Sequence, residues 1–202
     1  MIKGIIFDFG NVICHFTNEI YKQKIADLSG KTIEEIKNIF YENSDIFKRF
    51  ETGEISGQEF YENLGKIYGI NIPYQELKTI YSKDKFSRVP GIKELIVKLR
   101  KNYKVGLLSN TSEWDWDYMI QVAPEVLTFD SITKSYEVGA MKPSEEIYED
   151  ALRKLNLKPE ECVYTDDILE YVEAAKSLGF EAFQFTTAEK FEEDLKLIGI
   201  KI

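Results

Sequence analysis

The chain has 202 residues, of which 44% are hydrophobic and 30% charged, so it is long and apolar enough for a folded core domain with a smaller insert. Its formal net charge of −9 argues against the extended basic surface that nucleic acids require, but it allows a small anionic substrate at a local cluster or metal ion. The two cysteines, Cys14 and Cys162, fall in strand-like contexts and are expected to be buried, reduced thiols. There is no N-terminal signal pattern and no apolar run near the roughly 18 residues of a membrane span. We therefore expect a soluble, cytoplasmic protein without a membrane partner.

The stretch from Lys3 to Ile13 predicts a buried strand that ends in an acid. Gly4 to Phe7 are largely apolar without alternation and are followed by an acid and a glycine, which is typical of a strand buried on both faces of a parallel sheet. Asp8 then stands at the carboxyl end of this strand, where open α/β sheets bind their ligands. Taken alone, Asp8 fits a simple turn cap equally well.

After Ile13 the pattern turns helical for about seventy residues. Two capping boxes, Thr32 with Glu35 and Ser56 with Glu59, mark helix starts, and Gly69 marks a helix end. The predicted helices are Glu19 to Leu28, Ile33 to Tyr41, Ser44 to Phe50, Ser56 to Tyr68, and Tyr74 to Ser82. A block of helices between two strand regions predicts an inserted bundle over residues 16–86.

The remaining chain alternates strands with helices. The predicted strands are Val105 to Leu108, Ser131 to Lys134, Cys162 to Tyr164, and Glu181 to Phe185. The predicted helices are Ile92 to Lys101, Glu113 to Gln121, Glu145 to Leu155 with a Ser144 cap, Glu170 to Leu178 with Gly179 as its stop, and Ala188 to Leu197 with a Thr187 cap. This alternation predicts a doubly wound, parallel α/β sheet of the Rossmann type, built from residues 1–15 and 87–202.

Polar residues follow three of these strands: Asp8, the pair Ser109-Asn110, and the pair Asp166-Asp167. If the strands are neighbours, these groups meet at the carboxyl edge of the sheet. Crowded carboxylates need a positive partner, and oxygen ligands of this kind suit Mg²⁺. Lys142, which Pro143 biases away from helix, precedes one of the later helices. Each feature also has a structural interpretation as a turn, a helix cap or a solvated lysine.

Together, and in this order, these residues resemble the four motifs of the haloacid dehalogenase superfamily. The resemblance implies that Asp8 is the nucleophile, that Ser109 and Asn110 hold the phosphoryl group, and that Lys142 orients the nucleophile and neutralises charge. It also implies a Mg²⁺ site at Asp8, the Gly10 carbonyl, Asp166 and Asp167, with Asp167 the favoured direct ligand. The backbone amides after Asp8, at Phe9 and Gly10, can also donate hydrogen bonds to the phosphate. The helical insert resembles the cap of that superfamily's subclass I.

The sequence departs from the superfamily at Gly10, where most of its phosphatases carry a second Asp as general acid and base. One interpretation is a Mg²⁺-dependent phosphatase of a small metabolite with a good leaving group, since the Asp-Phe-Gly-Asn-Val wording resembles α-D-glucose-1-phosphate phosphatases. A second is a metal-free 2-haloacid dehalogenase, which the intact Asp166-Asp167 pair argues against. A third is a phosphometabolite-binding module without turnover. The oligomeric state and the exact phosphate ester stay open.

Other residues are weaker candidates. His15, the one histidine, is a possible substitute proton donor, with a structural role as the alternative. Glu170 is a possible support for the metal site. Two further groups are candidates for the pocket mouth or for contacts over the substrate: Trp114, Asp115, Trp116 and Asp117 after the second motif, and Phe47, Arg49 and Phe50 in the helical insert.

Overall fold

The computed structural model describes all residues from Met1 to Ile202 and contains a five-stranded, all-parallel sheet. Numbered in chain order among seven strands, its members are β1 Gly4–Phe7, β4 Lys104–Ser109, β5 Ser131–Lys134, β6 Cys162–Asp166 and β7 Glu181–Gln184. Their order across the sheet is β5-β4-β1-β6-β7, so β1 is central and the chain winds away from it in both directions. The predicted doubly wound α/β architecture is confirmed.

Helices cover both faces of this sheet. They are α6 Ile92–Leu99, α7 Glu113–Val122, α8 Ser135–Val138, α9 Glu145–Leu155, α10 Leu169–Ser177 and α11 Ala188–Leu197. Alternate side chains of β1 enter two different hydrophobic clusters, with Ile5 and Phe7 in one and Ile6 in the other. This two-sided burial explains why β1 reads as a continuous apolar run.

The helices between β1 and β4 form a third hydrophobic cluster. They are α1 Glu19–Ser29, α2 Ile33–Glu42, α3 Ser44–Glu51, α4 Gly57–Tyr68 and α5 Tyr74–Ser82. Trp114 of α7 is fully buried in this cluster, where its indole N–H donates to the Tyr74 hydroxyl at 2.8 Å. We propose that residues 16–86 form a cap domain and that residues 1–15 and 87–202 together form the core domain. Every helix of the chain is too short or too polar to span a lipid bilayer.

Two short strands were not predicted from the sequence. β2 Cys14–Phe16 and β3 Phe86–Arg88 pair antiparallel where the chain enters and leaves the helical region. Three-residue strands carry too little alternation to be recognised, and their pairing joins segments about seventy residues apart in sequence. The helix α8 and the 3₁₀ turns Pro124–Thr128 and Pro159–Glu161 were missed for the same reason of length.

Most predicted helix ends agree with the structure. Both capping boxes form, and Gly69 adopts a left-handed conformation (φ 71°) at the end of α4. The prediction for Ser144 is wrong in part, because its hydroxyl pairs with the Glu146 carboxylate instead of capping α9. Helix α6 ends two residues before the predicted Lys101, and β4 and β6 extend to include Ser109 and Asp166. Both cysteines are buried and unpaired, as expected.

Gly53 is required where the helical region touches the sheet domain. It has a φ of 70°, and a Cβ atom there would lie 2.2 Å from the Tyr136 carbonyl oxygen. We expect Gly53→Ala to lower the free energy of unfolding by about 1–3 kcal/mol more than Gly139→Ala. Gly139 also has a positive φ (79°) but has no atom within 4 Å of its Cβ position, so it isolates the steric effect. Urea denaturation midpoints measure the difference, and equal losses would contradict this close contact.

Candidate active site

The carboxyl ends of three adjacent strands meet at one edge of the sheet. Phe7 pairs with Leu107 and Thr165, so the next residue, Asp8, lies beside Asp166. Ser109 ends β4 on the other side of β1. Asp8, Asp166 and Ser109 line a cavity of about 300 Å³. The other residues that line this cavity are Phe9, Gly10, Asn11, Phe16, Glu51, Phe86, Asn110, Thr111, Asp115, Met119, Met141, Lys142, Asp167, Ile168 and Tyr171. The cavity lies where the strand order reverses, which is where doubly wound folds bind ligands.

Lys142 bridges two of the strand-end acids. Its Nζ lies 2.6 Å from Asp8 Oδ1 and 2.6 Å from Asp166 Oδ2, and all three side chains are buried. The interpretation of Lys142 as a solvated surface lysine is therefore wrong. Burial by itself lowers the pKa of Lys142, but the two carboxylates outweigh it and the net pKa is raised, so the ammonium stays charged. Burial raises the pKa of Asp8, while the Lys142 ammonium opposes that rise.

Asn110 fixes the backbone of Lys142. The Asn110 side-chain oxygen accepts from the Lys142 N–H at 2.8 Å, and its amide donates to the Lys142 carbonyl at 3.2 Å. Two loops that are distant in sequence are thereby joined beside Ser109, which lines the same cavity. The contacts place Asn110 as a positioning residue for the lysine, a task that its sequence position alone does not show.

Three carboxylates form a compact oxygen cluster. One ligand atom each from Asp8, Asp166 and Asp167 lies within 4.8 Å of the others. Asp166 is already engaged, because it accepts from Lys142, from the Tyr164 hydroxyl and from the Ile168 N–H at 2.9 Å. Asp167 is more open and is held by the Asn11 amide at 2.9 Å. An all-oxygen set of this kind fits a hard cation such as Mg²⁺.

Phe9 and Gly10, the two residues after Asp8, have different environments. A Cβ at Gly10 would lie 3.7 Å from Asp8 Oδ2, an ordinary contact, so the missing side chain leaves open space rather than preventing a clash. Phe9 is 1% exposed, and its ring packs edge-on against Phe86 at 5.6 Å between centroids. Burial raises the pKa of Asp8, and the nearby Phe9 backbone has a smaller, opposite effect.

Several weaker candidates are not at the cavity. His15 and Glu170 are exposed and do not line it. Phe47 and Phe50 are buried inside the helical cluster, and Arg49 pairs with Glu54 at 2.7 Å. Of the four residues after the second motif, Asp115 alone lines the cavity, and Trp114 is a core residue. The Trp116 ring lies 4.4 Å from Lys134 Nζ in a cation–π contact, and Asp117 forms an ion pair with Lys78.

Four groups at this site were not predicted from the sequence. Asn11 orients Asp167, Tyr171 places its ring 5.1 Å from Lys142 Nζ, and Lys85 contacts both oxygens of Asp115 at 3.0 Å. Glu51, at the end of α3, also lines the cavity. Asn11 had a detectable signal in its position three residues after Asp8. The others depend on contacts between segments far apart in sequence.

Comparisons with known proteins identify the fold and then the family. A model of the haloacid dehalogenase-like hydrolase family matches residues 2–179. The chain is also 31% identical over 206 residues to the D-ribitol-5-phosphate phosphatase of Bacteroides thetaiotaomicron, covering 98% of each protein. The chain therefore belongs to the haloacid dehalogenase-like hydrolase family. The predicted superfamily and the predicted class of enzyme, a hydrolase, are confirmed.

Solved structures share this fold at lower sequence identity. A haloacid dehalogenase family enzyme of Bacteroides thetaiotaomicron, in complex with magnesium and inorganic phosphate, aligns with a TM-score of 0.83 at 22% identity and covers 96% of this chain and 98% of that one. The L-2-haloacid dehalogenase of Xanthobacter autotrophicus aligns with a TM-score of 0.65 at 17% identity, covering 100% of this chain and 85% of that one. At these identities the likeness extends to the fold alone.

Replacing Lys142 tests the buried ion pairs. Lys142→Met leaves two buried carboxylates without their cation, so we expect a loss of about 3–5 kcal/mol in the free energy of unfolding at pH 8 without divalent metal. Because Lys142 lowers the pKa of Asp8, the variant binds a proton there at higher pH than the wild type does. The loss should therefore shrink as the pH falls from 8 to 5. Urea denaturation across that range measures it, with the exposed Lys101→Met as control. A loss independent of pH would contradict the ion-pair interpretation.

Proposed function

We propose that this protein is a Mg²⁺-dependent phosphatase that hydrolyses a small phosphorylated metabolite. The observation that carries the proposal is the cluster of Asp8, Asp166 and Asp167 beside Lys142 in one cavity. With all groups ionised, three carboxylates and one ammonium leave two uncompensated negative charges, which a divalent cation neutralises. The named activity of the relative that is 31% identical supports the same reaction class.

The chemistry assigned to this chain's residues begins at Asp8. Its carboxylate oxygen attacks the phosphorus of the ester, the bond to the leaving oxygen breaks, and an aspartyl-phosphate forms. Lys142 holds the attacking carboxylate and stabilises charge on the transferring oxygens, and the Ser109 hydroxyl and the amides after Asp8 donate to those oxygens. Water then releases inorganic phosphate and restores Asp8.

The metal site is assigned to Asp8, the Gly10 carbonyl and Asp167, with Asp166 as a supporting acid. Mg²⁺ held by these residues would supply positive charge that offsets the charge on the phosphoryl oxygens. Asp166 is better suited to holding Lys142, since both of its oxygens already accept hydrogen bonds. Asn11 fixes the Asp167 carboxylate on the side of the cavity.

The acid cluster also favours this proposal over a metal-free dehalogenase. Without a cation, the site would have to bury two excess negative charges, which is costly.

A cavity of about 300 Å³ is at the small end of ligand sites, which fits a metabolite of sugar-phosphate size. A hemiacetal phosphate such as glucose 1-phosphate and a primary-alcohol phosphate such as ribitol 5-phosphate are the two substrate classes to separate. We place the activity in the cytoplasm.

Phosphate release from a panel of esters tests the proposal. We expect turnover of p-nitrophenyl phosphate and of at least one sugar or polyol phosphate with Mg²⁺, and none with EDTA. Asp8→Asn should lower kcat by at least about 10³-fold, because the nucleophile is lost. Asp194→Asn on α11, outside the cavity, is the matched control and should keep full activity. If no ester is turned over with Mg²⁺, the binding-module alternative is favoured, and halide release from 2-chloropropionate without metal would support the dehalogenase.

Asp167→Asn tests the metal assignment separately. An amide is a weaker ligand than a carboxylate, so the Mg²⁺ concentration giving half-maximal activity should rise about 10-fold or more. Saturating Mg²⁺ should restore most of kcat. Titrating activity against Mg²⁺ measures the shift, with Asp194→Asn again as control. An unchanged Mg²⁺ requirement would remove Asp167 from the ligand set.

A further inference from the structure

The cavity lacks the acid that position 10 usually supplies, and a primary-alcohol phosphate needs one. An alkoxide leaves poorly without a proton, and a positioned acid contributes about 10²–10⁴-fold in rate. His15 does not line the cavity. Tyr171 does, but burial raises the pKa of its phenol above an already high value, so it is a poor donor at neutral pH. Asp167 is assigned to the metal.

Glu51 is the carboxyl group that the helical region brings to the cavity. It ends α3, and its backbone carbonyl accepts a hydrogen bond from the Ser135 hydroxyl at 2.6 Å. The same hydroxyl oxygen lies 2.9 Å from the Thr111 carbonyl and accepts from the Thr111 N–H at 2.9 Å, two residues after Ser109. Gly53, two residues after Glu51, lies against the carbonyl of Tyr136, the residue after Ser135. The backbone of Glu51 is therefore tied through Ser135 to the loop after β4, and Glu51 lines the cavity.

The surroundings of Glu51 distinguish it from the other cavity acids. Asp115 is held by a buried ion pair with Lys85, whose Nζ lies 3.0 Å from each of its oxygens. The Glu51 carboxyl makes no hydrogen bond and no ion pair within the protein. Burial raises the pKa of Glu51 to about 7, the Asp115 carboxylate adds to the rise, and Lys85 opposes it. Burial raises the pKa of the Tyr81 phenol on α5, and the nearby Asp115 and Glu51 carboxylates add to that rise. Glu51 thus carries a labile proton near neutral pH.

We propose that Glu51 is the catalytic acid and base that replaces the missing side chain at position 10. The inference rests on the proposed phosphatase function. As Asp8 attacks phosphorus and the P–O bond to the leaving group breaks, Glu51 gives its proton to the departing alkoxide, which leaves as an alcohol. The Glu51 carboxylate then accepts a proton from the water that attacks the aspartyl-phosphate. The P–O bond to Asp8 breaks, inorganic phosphate leaves, and Asp8 is ionised and Glu51 protonated as before.

Two esters that differ in their need for a proton test the assignment. Ribitol 5-phosphate releases an alkoxide, whereas p-nitrophenyl phosphate releases a phenolate that leaves unaided. With Mg²⁺ present, we expect Glu51→Gln to lower kcat/KM about 10²-fold or more for the alkyl ester and to change it less than about threefold for the aryl ester. Retained aryl activity shows that the variant folds. Glu54→Gln, three residues further on, exposed and paired with Arg49, is the matched control and should leave both unchanged.

The pH profile gives an independent readout. For the alkyl ester, wild-type kcat/KM should fall as the pH rises through about 7, because the acid form of Glu51 is lost. Glu51→Gln should lack this decline. Gly10→Asp in the Glu51→Gln background should recover alkyl activity, since position 10 has room for a side chain.

Two outcomes would overturn the assignment, and they are distinguishable. Equal losses on both esters, or an unchanged alkyl kcat/KM in Glu51→Gln, would remove Glu51 as the proton donor and leave the phosphatase standing. A wild-type protein that turns over neither ester with Mg²⁺ would overturn the proposed function and the role of Glu51 with it.

Discussion

The concentration of negative charge at the end of β1 is the constraint on which the rest of the site depends. Asp8, Asp166 and Asp167 bring their oxygens within 4.8 Å of one another in a largely buried setting. Buried carboxylates at this spacing repel each other unless cations accompany them. Lys142 supplies one cation, and the chain holds it with two carboxylates and with the Asn110 amide on its backbone. The remaining charge matches that of one divalent ion.

The position of this lysine shows how distant segments become one site. Lys142 enters from the loop before α9, Asn110 from the loop after β4, and both acids from strand ends on β1 and β6. These contacts join four separate segments of the chain at the same sheet edge. Because each contact needs the others in place, we interpret the polar network as a device that fixes the loop geometry, in addition to any catalytic role.

The helical region packs against the sheet domain and contributes part of the cavity lining. Its aromatic cluster includes Trp114 from the sheet domain, and Phe60 stacks on Phe50 with ring centroids 4.0 Å apart. Ser135 and Gly53 add polar and close backbone contacts at the end of α3. These contacts fix the backbone at the end of α3, where Glu51 lines the cavity. A side chain that motif comparison does not find thus lines the same cavity as those that it does.

Much of the fold and part of the site of this protein could be predicted from its sequence alone. The buried apolar run before Asp8, the alternation of strands and helices, and the capping boxes predicted the fold, because these signals act between residues close in sequence. The acids at the strand ends and Lys142 were predicted as one site from the parallel topology and the family resemblance. The tertiary structure decided the pairing of β2 with β3, the clamp of Asn110 on Lys142, the ion pair of Lys85 with Asp115, and the placement of Glu51. Each joins segments separated by at least thirty residues, and only the packed chain brings such segments within hydrogen-bond distance or into one cavity.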